Sequence, residues 1–164
     1  MTRSGKLLII GGVALAAFGM LYGLHYAIFI EHQSLDGMGM NLTRAFVHAA
    51  ERNLSESHAS LSAYAATKFN YVRQVDVHSH WIGLAMLMIV LGVVFDRVGF
   101  NDRTRFWLAL MLLLGSIIFP LGVILQTANQ GPLPSVLAVA GSAMVIVSLA
   151  AIAFGFARQG KSGA

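Results

Sequence analysis

Six histidines give the chain its clearest potential for chemistry, and all of them lie in its first half, between His25 and His80. Neutral imidazole is a common nitrogen ligand for copper, zinc and haem iron. Four of the six, His25, His32, His78 and His80, border apolar segments and could share one layer near a membrane surface. They predict a site for haem b or a copper ion, with His25 and either His78 or His80 as cofactor ligands and His32 as a further metal ligand.

The spacing of His78 and His80 restricts what this pair can do. In a regular helix, residues i and i+2 point roughly 160° apart, so the two imidazoles cannot chelate one ion. If the helix begins only at Ser79, or if the segment is extended, the two residues share a side and chelation becomes possible. Otherwise one imidazole can bind the metal while the other bonds to a carboxylate.

The sequence around this pair resembles a known type of membrane helix. The run His78-Ser79-His80 opens an apolar helix that contains Gly83 and Gly92, and this is similar to the haem-ligand helices of proteins related to the haem-copper oxidase catalytic subunit. The resemblance covers one short segment of the chain. It implies that His78 or His80 is an axial ligand of a b-type haem. It does not extend to the catalytic haem-copper centre, because the later helices contain no histidine.

Composition and hydropathy predict an all-α integral membrane protein in contact with the lipid bilayer. The chain of 164 residues is 57% hydrophobic and only 11% charged, unlike a typical soluble domain. Four apolar stretches, 7–30, 77–95, 106–126 and 133–156, are each long enough to cross a hydrocarbon core of roughly 30 Å as a helix. We therefore expect a single membrane domain, residues 1–164, built as an antiparallel bundle of four transmembrane helices.

Residues 31–76 form the predicted first external loop. The glycine-rich run 36–40 is typical of a turn. Asn41 is then predicted to cap an amphipathic helix that continues to about Ala65 and lies on the membrane surface or over the bundle. Within this helix, Glu51 together with His48 and His58 is the one grouping suited to acid-base chemistry.

Three features are predicted within the spans themselves. Asp76 is expected to cap the second span, Trp81 to lie at the membrane interface, and Pro120 to kink the third span. Stripes of small residues predict close helix packing, and they comprise Gly12, Ala16, Gly19, Gly23 and Ala27 in the first span, Gly115 and Gly122 in the third, and Gly141, Ser148 and Gly155 in the fourth. His25 lies on the opposite side of the first helix from its stripe.

The distribution of basic residues predicts the orientation of the chain. The amino terminus, the second loop and the carboxyl tail together hold seven lysines and arginines, and the first and third loops hold four. Basic residues are retained on the cytoplasmic side, so both termini are predicted to be cytoplasmic and the first loop external or periplasmic, in the inner (plasma) membrane. The net charge of +4 then reflects topology, and binding of nucleic acid is not expected.

Several function classes are disfavoured by what the chain lacks. The absence of cysteine rules out thiolate metal ligands, cysteine-ligated iron-sulfur clusters and c-type haem. Residues 106–156 contain no ionisable side chain, although transporters and pumps normally need such groups at mid-membrane. No arrangement of catalytic residues indicates an enzyme that acts alone.

Two interpretations of the chain follow. The first is a small redox protein, holding haem b or copper near the outer membrane face as an electron-transfer or assembly subunit of a redox complex. The alternative is a cofactor-free structural or accessory subunit. Both predict a partner membrane subunit or a homo-oligomer.

Overall fold

The computed structural model describes residues 1–129 and 131–159, and within them the chain is helical with short turns and no β-strand. The helices are α1 (Arg3–Phe29), α2 (Glu31–Ala50), α3 (Leu54–Val94), a 3₁₀ turn (Phe95–Arg97), α4 (Asp102–Ala128) and α5 (Pro132–Gln159). The predicted all-α class is confirmed. Four of these helices, α1, α3 with its 3₁₀ extension, α4 and α5, are long and apolar enough to cross a membrane.

The segment that follows α1 differs from the prediction. Residues 31–50 form α2 directly after α1, so the predicted turn at 36–40 is wrong. Gly37 and Gly39 lie inside this helix, where each glycine costs only about 1 kcal/mol relative to alanine. Packing of α2 along α3 offsets that cost. Asn41 is likewise internal to α2 and caps no helix.

A tight turn at residues 51–53 joins α2 to α3. Arg52 has φ of 60°, in the left-handed region, and the Asn53 side chain caps α3 by accepting a hydrogen bond from the Glu56 amide at 3.3 Å. Just beyond the turn, the Ser57 hydroxyl donates to the Ala45 carbonyl at 2.9 Å. The predicted single amphipathic helix is therefore wrong, because its sequence is divided between two helices that pack on each other.

Helix α3 continues without a break from Leu54 into the apolar second span. Asp76 lies inside it and is not the predicted N-cap. At 1.5 Å per residue, its 41 residues extend for roughly 60 Å, about twice the thickness of a hydrocarbon core. The first half of α3 and the whole of α2 therefore form a hairpin beyond the apolar part of the molecule.

Glycines bring α1 and α3 close together, as the small-residue stripe predicts. A Cβ at Gly12 would come within 2.9 Å of the Ala85 carbonyl oxygen, and one at Gly19 within 3.0 Å of Trp81 Cβ. Both glycines are buried. This close contact determines which α3 side chains face α1.

The predicted small-residue contacts between α4 and α5 are also present. A Cβ at Gly115 would meet the Gly141 carbonyl oxygen at 2.9 Å, and one at Gly122 would meet the Ala138 backbone. Ser148 is fully buried, and a Cβ at Gly155 would meet Val98 and Phe100, which precede α4, and not α4 itself. Pro120 lies within α4, and the helix continues past it.

Candidate functional site

His78 lies on the α1-facing side of α3, partly buried between the two helices. Its Nδ1 atom is 2.9 Å from the Gly19 carbonyl oxygen. The imidazole ring rests on Gly23, where any Cβ would overlap it. Gly19 therefore supplies a hydrogen-bond acceptor, and Gly23 leaves room for the ring.

This hydrogen bond determines which nitrogen of His78 is free. A backbone carbonyl can only accept, so Nδ1 must carry the proton that it donates to Gly19. In neutral imidazole the lone pair then resides on Nε2. Histidine ligands of metals are commonly oriented in this way, by an Nδ1–H bond to a carbonyl.

A groove lies beside the His78 side chain. It has a volume of about 950 Å³ and is lined by His78, by Ile82 and by apolar residues of α1 between Ala17 and Ala27. The groove is shallow and apolar, so it would cover one face of a ligand without enclosing it. His78 is the one ionisable residue in the groove lining, and its Nε2 makes no hydrogen bond within the described residues.

His80 contacts a different helix, α4. Its ring packs on Phe119 of α4, with the ring centroids 4.6 Å apart and the planes 31° apart. His78 therefore faces α1 while His80 faces α4, as expected for residues i and i+2 of a regular helix. Because α3 is continuous through Ser79, the geometry that would allow the pair to chelate one ion is absent.

His25 and His32 do not join His78 in the groove. His25 is exposed on α1, with its ring 5.2 Å from that of Phe29, and the groove lining does not include it. His32 is exposed in the first turn of α2. Within residues 1–129 and 131–159, no group of three or more histidine, aspartate or glutamate side chains is arranged to hold a metal ion.

An aromatic cluster that the sequence prediction missed supports the site from inside. Trp81 is only 2% exposed and packs inside the protein, while its depth relative to the membrane interface stays a prediction. Its ring meets Phe18 edge-on at 4.8 Å and Tyr22 at 5.2 Å. The Tyr22 hydroxyl donates to Gln74 Oε1 at 2.8 Å. Gln74, His78 and Trp81 are spaced four and three residues apart, so they lie on one face of α3. The sequence prediction missed this face because it placed Gln74 before the start of the helix at Asp76.

The predicted acid-base grouping lies away from this site, at the hairpin turn. His48 Nδ1 and Glu51 Oε2 are 3.3 Å apart, and His58 is exposed on α3. The Glu51 side chain is 62% exposed. This arrangement is a solvent-exposed side-chain contact at the hairpin turn.

No model of a known protein family, no curated protein and no solved structure matches the chain.

Proposed function

We propose that this chain is an integral membrane protein of four antiparallel spans that holds a b-type haem through His78 near the outer membrane face. In this role it serves a redox complex as an electron-transfer or assembly subunit. Both termini are cytoplasmic, as the distribution of basic residues favours, and the hairpin of α2 and the first half of α3 is external.

The observation that carries the proposal is the orientation of His78. Its Nδ1 donates to the Gly19 carbonyl at 2.9 Å, so in the neutral imidazole the lone pair is on Nε2, and the side chain lines an apolar groove. Gly23 provides the space that the ring needs in this position. These three features together match the requirements of an axial ligand that is held in a fixed tautomer and orientation.

Haem is favoured over a copper ion by the number of ligands available. Protein copper sites commonly combine several histidine or sulfur ligands, whereas haem iron needs one or two axial side chains and gains further binding from apolar contact of its macrocycle. One histidine and an apolar groove suit the second case. A bound b-type haem supplies reversible one-electron chemistry. The chain would contribute the histidine ligand, its orienting hydrogen bond and an apolar wall along one face.

A haem titration tests this proposal. Protein purified in mild detergent is titrated with haemin, and we expect saturable binding with a sharpened, red-shifted Soret band. His78→Ala should lose that spectrum, while the matched His80→Ala variant should keep it. Circular dichroism confirms that both variants remain helical. A wild-type protein that leaves the haemin spectrum unchanged, or a helical His78→Ala variant that binds haem like the wild type, would contradict the proposal.

A second candidate function is a cofactor-free accessory subunit of a membrane complex. The contacts of His78 with Gly19 and of His80 with Phe119 favour it, since both histidines then serve helix packing. Polar contacts of this kind stabilise helix association inside a bilayer. In that case, replacing His78 with glutamine should leave the assembly and colour of the host complex intact. A complex that assembles but loses its haem absorbance on this replacement would exclude the accessory role.

A further inference from the structure

The hairpin of α2 and the first half of α3 presents a row of apolar side chains that no other part of the described chain covers. We name this row the hairpin face, and it comprises Leu35, Leu42 and Phe46 of α2 with Leu54, Leu61 and Val72 of α3. All six side chains are exposed, Phe46 and Leu54 most of all, at 68% and 64%. The face lies outside the four apolar spans and apart from the His78 groove.

Helical periodicity places the two halves of this row on one side of the hairpin. The Ser57 hydroxyl bonds to the Ala45 carbonyl, so these two residues mark where the helices meet. In each helix the side chains of the hairpin face lie roughly 40 to 100° round from that contact, in the same rotational sense, at 100° per residue. Met40 and Val47, also exposed, lie outside this face. Because the helices run in opposite directions, the same sense of rotation brings both rows to one side. Arg44 and Ala59, both exposed, lie on the other side.

Lipid does not reach most of this face if the chain is inserted as proposed. α3 is one continuous helix with no proline, so residues 54–76 continue the line of the apolar span that follows them. At 1.5 Å per residue they extend for about 30 Å beyond the hydrocarbon core. Charged residues on the opposite side of the hairpin, such as Arg44 and Glu56, are exposed. Lys68 interrupts the face, with its Nζ 5.9 Å from the Tyr64 ring.

We infer that the hairpin face is a dimerisation surface and that its occupant is a second copy of this chain. A second copy in the same membrane presents the same face at the same height, and a two-fold axis along the membrane normal closes the contact. Two hairpins then form a four-helix bundle in water. The face is about 30 Å long and about 20 Å wide, so two copies bury about 1,200 Å², the lower bound for a stable interface.

In such a dimer, α2 of one copy lies against α3 of the other. Leu42 and Leu61 occupy the same level of the hairpin, so Leu42 of one copy meets Leu61 of its partner. Arg44 and Ala59 share a level as well, but on the opposite side. These two pairs therefore give a matched test and control. The inference rests on the proposed membrane placement and not on haem binding.

Cysteine cross-linking tests the dimer, and the chain has no cysteine of its own to interfere. Leu42→Cys with one epitope tag and Leu61→Cys with another are expressed together, and membranes are oxidised with copper phenanthroline. We expect a disulfide-linked dimer that carries both tags, and little or none from Arg44→Cys with Ala59→Cys. Adding Phe46→Lys to the first pair should abolish the dimer. Equal cross-linking in both pairs, or cross-links only to other proteins, would overturn the inference.

Labelling with a membrane-impermeant maleimide separates failure of the dimer from failure of the membrane placement. In intact cells, all four single-cysteine variants should react if the hairpin is external, with Arg44→Cys and Ala59→Cys reacting faster. Variants that react equally fast and do not cross-link disprove the dimer while the placement stands. Variants that react only after lysis disprove the external placement, and the cross-linking result still decides the dimer.

Discussion

His78 Nδ1 lies 2.9 Å from the carbonyl oxygen of Gly19, and this contact determines the chemistry available at the junction of α1 and α3. It fixes a proton on Nδ1, so that the lone pair of the neutral imidazole is on Nε2, and it holds the ring over Gly23. In a bilayer, a backbone carbonyl already engaged within its helix can accept a second hydrogen bond, since each carbonyl has two lone pairs. The contact therefore orients the histidine without breaking α1.

Gly23→Ala should displace the His78 ring. The new Cβ would overlap the imidazole, and overpacking of this kind destabilises by about 1–3 kcal/mol. We expect lower thermal stability in detergent together with weaker haem binding. The control is Gly83→Ala on α3, where a Cβ would meet nothing within 4 Å, so stability should stay unchanged or rise by up to about 1 kcal/mol. Equal behaviour of the two variants would argue against the packing of His78 on Gly23.

His80→Ala should weaken the contact between α3 and α4 without affecting haem binding. Aromatic pairs of this geometry contribute about 0.5–1.5 kcal/mol beyond their buried area. A double-mutant cycle with Phe119→Leu, read by chemical unfolding in detergent, should give a coupling energy in that range. A coupling near zero would mean that the 4.6 Å ring contact contributes nothing to stability.

Gly122→Ala should separate α4 from α5. A Cβ at Gly122 would collide with the backbone of Ala138, which cannot rotate away as a side chain can, so we expect a loss of at least about 2 kcal/mol. Gly39→Ala in α2 is the control, because its surroundings are open. Thermal unfolding followed by circular dichroism compares them, and a Gly122→Ala variant as stable as the wild type would contradict the close contact.

Asn53→Ala should loosen the hairpin turn. Its side chain accepts a hydrogen bond from the Glu56 amide, and the loss of such a cap costs about 0.5–2 kcal/mol. Asn70→Ala, at an exposed position inside α3, should be neutral or slightly stabilising because alanine has the higher helix propensity. Hydrogen exchange at residues 54–57 should accelerate only in Asn53→Ala. Equal exchange in both variants would mean that the cap does not hold the turn.

Much of the fold can be predicted from sequence because long apolar runs allow few structures. The four apolar stretches and their glycine stripes predict the helices and the close contacts at Gly12, Gly115 and Gly141. The hairpin could not be predicted in the same way. Gly37 and Gly39 favour a turn locally, and only the packing of α2 on α3 makes a helix there stable. The real break, at Arg52, carries no glycine or proline to mark it.

The candidate site was predictable only in part. Sequence spacing predicts that His78 and His80 diverge in a regular helix, and that His25 faces away from the glycine stripe. It does not reveal which histidine meets α1, since that depends on the rotation of α3 about its axis. His78 meets α1 because the register of the two helices places it beside Gly19. That register follows from the packing of α1 and α3 along their whole length.

The most direct test of the central claim is imidazole rescue of a His78→Gly variant. Purified wild-type protein, His78→Gly, and His78→Gly with added imidazole are each loaded with haemin, and their Soret and visible spectra are compared. If Nε2 of His78 is the axial ligand, the variant loses the ligated spectrum and free imidazole, which fills the vacated space, restores it. A helical variant whose spectrum matches the wild type without imidazole would contradict the claim.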